Sequence, residues 1–106
     1  MRIGKNVSIA LDVNLDIFFP ELIEIGDNTV IGADTMILAH EFLVDSWRTG
    51  EVRIGRDVMI GARCLILPGV AIGDGATIAA LSLVNQDVPA RAFAAGVPAQ
   101  VKKRAD

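Results

Sequence analysis

The chain has 106 residues, of which 52% are hydrophobic and only 5% aromatic, with one cysteine and a net charge of -3. This length predicts one domain, the single cysteine excludes a disulfide-stapled fold, and the acidic balance excludes a general affinity for nucleic acid. The N-terminus lacks an apolar signal core, and no apolar run approaches the ~18 residues of a membrane span. We therefore expect a soluble, cytoplasmic protein without a nucleic-acid or membrane partner.

An aliphatic residue recurs at six-residue intervals within several blocks of the chain. Ten of the twelve isoleucines lie on this register, with one leucine and one valine completing it. A glycine follows six of these anchors, where we expect a sharp turn that needs a permissive backbone. The residue four positions after an anchor is small or β-branched in most units. The anchors are Ile3, Ile9, Leu15, Ile25, Ile31, Ile37, Ile54, Ile60, Ile66, Ile72, Ile78 and Val84.

Six residues are too few for a helical repeat, but they suffice for one short strand and a corner. Three such units close a triangular coil, and stacked coils bury each anchor against the next. The sequence thus predicts an all-β fold, a parallel β-helix of four coils. We place the coils at 3–20, 25–42, 54–71 and 72–89, with a corner insertion at 21–24 and an expelled loop at 43–53.

The six-residue register stops after Val88 and Pro89, so the chain divides into a β-helix domain, 1–89, and a short C-terminal extension, 90–106. Pro98 prevents a long helix in the extension, which we expect to run back along the coils or to pack on a neighbour. The extension is basic, with four Lys/Arg against one acid, whereas residues 1–89 are acidic. This basic tail is either a solvated end or a contact for phosphate groups.

His40 is the only histidine, and it lies immediately before the loop that leaves the repeat. Such loops are where binding and catalytic residues concentrate, although an ordinary surface histidine also fits this position. One histidine is too few for a zinc site built from three histidines, so we expect no metal. Cys64 falls on an inward position and is interpreted as a small buried hydrophobe.

Several segments resemble the hexapeptide-repeat acyltransferases, in particular the branch of galactoside and maltose O-acetyltransferases. These segments are IGDN at 25–28, ILAHEF at 37–42, IGRDVMIGA at 54–62, ILPGVAIGD at 66–74, VNQDVP at 84–89 and AGVPA at 95–99. The resemblance covers nearly the whole chain. It implies a left-handed β-helix, a homotrimer, and an acetyl-CoA site in the cleft between neighbouring subunits.

The resemblance also implies roles for individual residues. His40 would be the general base that deprotonates an acceptor hydroxyl, whose oxygen attacks the thioester. Three positions depart from the family pattern, because Gln86 and Gln100 replace basic residues and Leu81 replaces a glycine. The implied acetyl-CoA contacts are Ala62, Ala80, Asn85, Gln86, Gln100 and Lys103.

Candidates for acceptor binding lie near the presumed position of His40. Asp16 is on the same face of the prism one coil earlier, so it is either an acceptor-binding residue or a surface carboxylate without a function. The Phe18–Phe19 corner and Trp47 either form an apolar wall over the site or serve as core filler and loop anchor.

The sequence therefore favours a CoA-dependent acyltransferase that transfers acetyl from acetyl-CoA to a hydroxyl of a small acceptor such as a sugar. Leu81, Gln86, Gln100 and the lack of a segment before the first coil keep a second hypothesis open. It is a non-catalytic trimeric scaffold, or pseudoenzyme, with weakened CoA binding. N-acylation of an amino sugar or an antibiotic would use the same base and cosubstrate, so the acceptor also stays open.

Overall fold

The structure is a computed structural model that describes residues 1–102. The chain winds into a three-sided prism of parallel strands, most of them two residues long, each paired with the equivalent strand of the next coil. The prism measures 46 × 28 × 22 Å. This is the triangular β-helix that the six-residue register predicts.

Three sheets form the faces of the prism, and a separate hairpin stands outside them. Face 1 contains β1 (Arg2–Ile3), β4 (Ile23–Ile25), β9 (Val52–Ile54) and β12 (Ala71–Ile72), in that order. Face 2 contains β2 (Ser8–Ile9), β5 (Val30–Ile31), β10 (Met59–Ile60), β13 (Thr77–Ile78), β15 (Phe93–Gly96) and β16 (Ala99–Lys102). Face 3 contains β3 (Asn14–Leu15), β6 (Met36–Ile37), β11 (Leu65–Ile66) and β14 (Leu83–Val84). The hairpin is formed by β7 (His40–Phe42) and β8 (Trp47–Thr49), and a short 3-10 helix spans Pro20–Leu22.

The anchor residues stack in columns through the interior. On face 2, for example, Ile60 pairs with Ile31 on one side and with Ile78 on the other. All nine anchors from Ile25 to Val84 are almost completely buried. Because burial of one such side chain contributes roughly 1.5–3 kcal/mol, these columns are the main source of stability. The anchors at the open end of the stack are partly exposed, by 45% for Ile3 and 40% for Ile9.

The glycines that follow the anchors have a different role from the one predicted. The positive φ angles occur two residues later, as at Asn28 (60°) and Leu81 (65°), and not at these glycines. A Cβ at Gly26 would lie 2.6 Å from the backbone nitrogen of Arg56, and one at Gly32 equally close to that of Ala62. Glycine is therefore required by the close approach of successive coils and not by the backbone turn.

The expelled loop is shifted relative to the predicted range of 43–53. The hairpin leaves the prism at His40, and the chain returns at Gly50, whose N–H donates a hydrogen bond to the Ala39 carbonyl oxygen (3.0 Å). Val52 is fully buried in β9 and pairs with Ile23 on the neighbouring coil. The alternation of Val52 and Ile54 places both inside, because one residue between them points outward.

Two other predicted boundaries are also shifted. The corner insertion at 21–24 ends before Ile23, which belongs to β4 and is buried in the core. The six-residue register does not stop at Val88, since Ala94 in β15 pairs with Ile78 and continues the interior column. β16 then turns back antiparallel to β15, so part of the extension adds to face 2.

Cys64 confirms the prediction of a small buried side chain. It lies inside the prism, with Sγ 3.2 Å from the carbonyl oxygen of Ala79. Burial raises the pKa of the Cys64 thiol, which keeps the sulfur protonated and unreactive.

A pair of alanine substitutions distinguishes close coil packing from backbone conformation. Gly32→Ala should reduce the free energy of unfolding by about 1–3 kcal/mol or more, because its Cβ would collide with backbone atoms of the next coil. Gly69→Ala, at φ +83° with open space around the Cβ, should cost only about 1 kcal/mol for the backbone conformation. Urea unfolding measures both values, and equal losses would contradict this assignment.

Candidate active site

Asp16 and His40 lie at the same corner of the prism in neighbouring coils. Asp16 directly follows β3, and His40 is the first residue of β7, shortly after β6. The strands β3 and β6 pair in parallel through Leu15 and Ile37, which fixes the relative position of the two corners. His40 stands where the hairpin leaves the prism, so its ring covers the Asp16 carboxylate.

The Asp16 carboxylate is surrounded by hydrogen-bond donors and is only 3% exposed. Its Oδ1 accepts hydrogen bonds from the backbone N–H groups of Phe18 (2.8 Å) and Phe19 (2.9 Å). Its Oδ2 accepts one from the N–H of Ala39 (2.7 Å) and also bonds to Nδ1 of His40. The tight turn after Asp16 thus presents two backbone donors to one oxygen, as aspartate turns commonly do.

These donors keep Asp16 ionised in spite of its burial. Burial raises the pKa of Asp16, but the backbone N–H groups of Phe19 and Ale39's neighbour coil position lower it.

 Together, the backbone N–H groups of Phe19, Ala39 and Phe18 and the ring of His40 hold that pKa at about 2, below its ordinary value of 3.8. An ionised carboxylate only accepts hydrogen bonds, so Nδ1 of His40 carries the proton of that bond. In a neutral imidazole Nε2 is then the free acceptor, as a general base requires.

Aromatic rings surround His40 on the side away from Asp16. Ring centroids lie 4.7 Å from His40 for Phe42, 5.1 Å for Phe18 and 5.8 Å for Phe19. Trp47 stacks on Phe19 at 5.6 Å with an angle of 13° between the ring planes. The structure therefore brings the Phe18–Phe19 corner and Trp47 together at His40, as the apolar-wall interpretation predicts.

Phe42 was missed in the sequence, although its spacing contains a signal. In an extended strand, residues two apart lie on the same face. Phe42 follows His40 by two positions in β7, so both rings project from one side of the hairpin. Once β7 is recognised as a strand, the alternation of His40, Glu41 and Phe42 is sufficient to find this neighbour.

The residues predicted to contact acetyl-CoA lie at two different corners. Ala62 and Ala80 are exposed at the corner that follows face 2, and the Leu81 N–H donates a hydrogen bond to the Ala62 carbonyl oxygen (2.9 Å). Gln100 is exposed in β16, where it pairs with Ala95 at the end of β15.

The second corner is the one that carries His40. Asn85 and Gln86 are exposed directly after β14, at the top of face 3. Face 3 therefore separates Asn85 and Gln86 from Ala62 and Ala80 within one chain. Lys103 lies outside the described residues.

The remaining surface was searched for metal and membrane features. Within residues 1–102, no three His, Cys, Asp or Glu side chains come close enough to hold a metal ion, and no helix is both long and apolar enough to span a membrane. An open concavity of about 750 Å³ lies on face 1, where Arg2 and Arg53 approach Glu24. It contains none of the predicted site residues.

Comparison with known proteins identifies the class to which this arrangement corresponds. Residues 51–86 match the family model described as bacterial transferase hexapeptide (six repeats). The match confirms the hexapeptide-repeat family predicted from the sequence. The all-β, left-handed parallel β-helix fold is likewise confirmed by the solved structures that the chain resembles.

Individual relatives are named as acetyltransferases. The chain is 54% identical over 101 residues to "Putative acetyltransferase YvoF" of Bacillus subtilis (strain 168), covering 95% of this chain and 59% of that protein. A hexapeptide-repeat acetyltransferase of Vibrio cholerae O1 biovar eltor, solved with acetyl coenzyme A, superposes with a TM-score of 0.89 at 33% identity, covering 96% of this chain and 58% of that one. A galactoside acetyltransferase solved with coenzyme A gives 0.76 at 26% identity, with coverage of 96% and 64%. The chain thus spans about three fifths of the length of these proteins.

Acid should weaken the fold through Asp16. Because the pKa of this carboxyl is lower in the folded chain (about 2) than its ordinary value (3.8), the stabilisation is complete above pH 3.8 and is lost as the pH falls towards 2. The shift corresponds to about 2 kcal/mol. Asp16→Asn should therefore unfold at lower urea than the wild type at pH 7, with the gap narrowing by pH 2.

Asp45→Asn is the matched control, since it removes the same charge from an exposed position in the hairpin turn. It should leave the free energy of unfolding within about 0.5 kcal/mol of the wild type. A gap for Asp16→Asn that did not change between pH 7 and pH 2 would contradict the assigned role of its charge.

Proposed function

We propose that this β-helix is the catalytic part of a CoA-dependent acyltransferase that moves an acetyl group from acetyl-CoA to a hydroxyl of a small acceptor such as a sugar. The observation that carries the proposal is the bond between the ionised Asp16 carboxylate and Nδ1 of His40, which leaves Nε2 free to accept a proton. Relatives solved with acetyl-CoA and with CoA support the choice of cosubstrate.

The reaction follows from these two side chains. Nε2 of His40 removes the proton of the acceptor hydroxyl while its oxygen attacks the thioester carbonyl carbon. The new C–O bond forms, the C–S bond breaks, and the CoA thiolate takes the proton back from the imidazolium. The products are an acetyl ester and free CoA. Asp16 stabilises the intermediate imidazolium, and general-base help of this kind is worth about 10²–10⁴ in rate.

Asp16 acts in this proposal as a positioning residue. Its carboxylate is buried and already bonds to three backbone N–H groups and to His40. Those contacts leave little room for an acceptor, so the acceptor-binding role considered from the sequence is less favoured. By fixing the orientation and tautomer of the ring, Asp16 keeps Nε2 directed to the outside of the prism.

A homotrimer would solve the problem of the separated cosubstrate residues. Ala62, Ala80 and Gln100 lie on one side of face 3, whereas Asn85 and Gln86 lie beside the corner of His40. Packing of neighbouring prisms would place one set from each subunit around a single cleft. The outward side chains support such packing, because faces 2 and 3 present apolar ones where face 1 presents charges. Partly exposed examples are Val30, Met36 and Met59.

A non-catalytic trimeric scaffold with weak CoA binding is the second candidate. It is favoured by Gln86 and Gln100, which lack the charge that would bind a phosphate, and by the exposed side chain of Leu81 beside Ala80. N-acylation of an amine is a variant of the first candidate, and replacing the acceptor hydroxyl by an amine in the assay separates the two. A cytoplasmic location remains a prediction from the sequence.

Removal of the base tests the catalytic proposal. His40→Ala should lower the rate of acetyl-CoA cleavage by about 10²–10⁴ over a panel of sugars, because no other group replaces Nε2. CoA affinity, measured by calorimetry, should stay within about twofold of the wild type. Equal cleavage rates for His40→Ala and the wild type would remove His40 from the mechanism.

Restoring a charge tests the cosubstrate site. Gln100→Arg should tighten CoA binding about tenfold, since a charge-assisted hydrogen bond to phosphate is worth roughly 1.5–3 kcal/mol. The gain should shrink with added salt. If neither the wild type nor this variant bound CoA up to millimolar concentration in calorimetry, only the scaffold would remain.

A further inference from the structure

We propose that Phe18, Phe42 and Trp47 form an acceptor-binding wall and that the natural acceptor carries an apolar ring next to the hydroxyl that reacts. This inference rests on the proposed function, because it takes His40 as the base. It narrows the acceptor from any small hydroxyl compound to one with an aromatic or alicyclic body.

The aromatic residues of the chain are concentrated at this corner. The chain contains four phenylalanines, one tryptophan and no tyrosine. Four of these five rings contact His40 or one another there, and the fifth is Phe93 on face 2. The interior columns are filled by isoleucine and valine, so the core does not explain this concentration.

The three rings of the wall are also exposed to a degree that packing alone does not require. Phe18 is 60% exposed, Phe42 61% and Trp47 57%. They come from two separate segments, since Phe18 lies at the corner after β3 and the other two lie opposite each other in the hairpin. Phe18 and Phe42 meet edge to face at 5.9 Å, and both contact the ring of His40. The result is an apolar surface that adjoins the proposed base.

The polar groups near this surface are already bonded to each other. Asp16 is saturated by backbone donors and His40, and Glu41 forms an ion pair with Arg48 at 2.6 Å. Glu41 alternates with His40 and Phe42 along β7, so it lies on the other side of the strand. A heavily hydroxylated acceptor would find few polar partners at the wall, whereas an apolar ring would gain contact with three aromatic faces and edges.

Binding is testable without catalysis, because Trp47 is the only tryptophan of the chain. The probes are 3-phenylpropane-1,2-diol and propane-1,2-diol, which present the same diol with and without a ring. Trp47 fluorescence should respond to the phenyl compound at concentrations at least about tenfold lower. Phe42→Ala should weaken that response about tenfold, and Phe42→Leu, which keeps apolar bulk, should weaken it less.

Val44→Ala is the matched control, since Val44 is a fully exposed apolar residue of the same hairpin away from the rings. It should bind the phenyl compound like the wild type. Unfolding in urea checks that each Phe42 variant is folded under the conditions of the titration.

Acetyl-CoA cleavage provides the second readout. The phenyl compound should show a KM about tenfold lower than propane-1,2-diol, with kcat changing less, and Phe42→Ala should raise the KM for the phenyl compound. Cleavage with neither compound, together with a selective fluorescence response, would overturn the proposed function and leave the binding wall in place.

Two results would overturn the wall itself. One is an equal fluorescence response and equal KM for both compounds. The other is Trp47 emission that depends on protein concentration and not on the phenyl compound, which would show that a second copy of the chain covers these rings. A Phe42→Ala variant that is folded and retains the full phenyl preference would have the same meaning.

Discussion

The fold depends on the close spacing of successive coils, which parallel strand pairing sets at about 4.8 Å. At that distance a column of isoleucines is continuous, as Ile31, Ile60 and Ile78 show on face 2. The same spacing leaves no room for a Cβ where corners meet, which explains Gly26 and Gly32. The anchors and the corner glycines are therefore two consequences of one constraint.

The candidate active site uses this stacking as well. Asp16 belongs to the first coil, and two of its partners, Ala39 and His40, belong to the second. Because β3 and β6 are in fixed register, the buried carboxylate meets the backbone N–H of Ala39 without any special loop. The hairpin then adds only what the prism lacks, namely a surface that projects beyond the coil and surrounds the imidazole.

The sequence was sufficient for the prism and for the choice of His40 as the candidate base, because one aliphatic residue per unit survives as a visible period. It misassigned the corner glycines, since a close approach and a positive φ both favour glycine. The clue to the true turn position is the Asn or Asp two residues later, as at Asn28 and Asp34. The register beyond Val88 was overlooked because its next inward residue is Ala94, too small to look like an anchor.

The distances between paired strands show what the corners tolerate. Ile54 pairs with Ile72, 18 residues later, whereas Ile25 pairs with Ile54, 29 residues later. The additional chain forms the hairpin, yet the interior column is unchanged. Since the interior is filled and each strand is held only by its neighbours above and below, a corner can lengthen, shorten or change composition independently of the core. Acceptor choice can thus diverge between related chains at the hairpin while the base, its carboxylate and the prism remain the same.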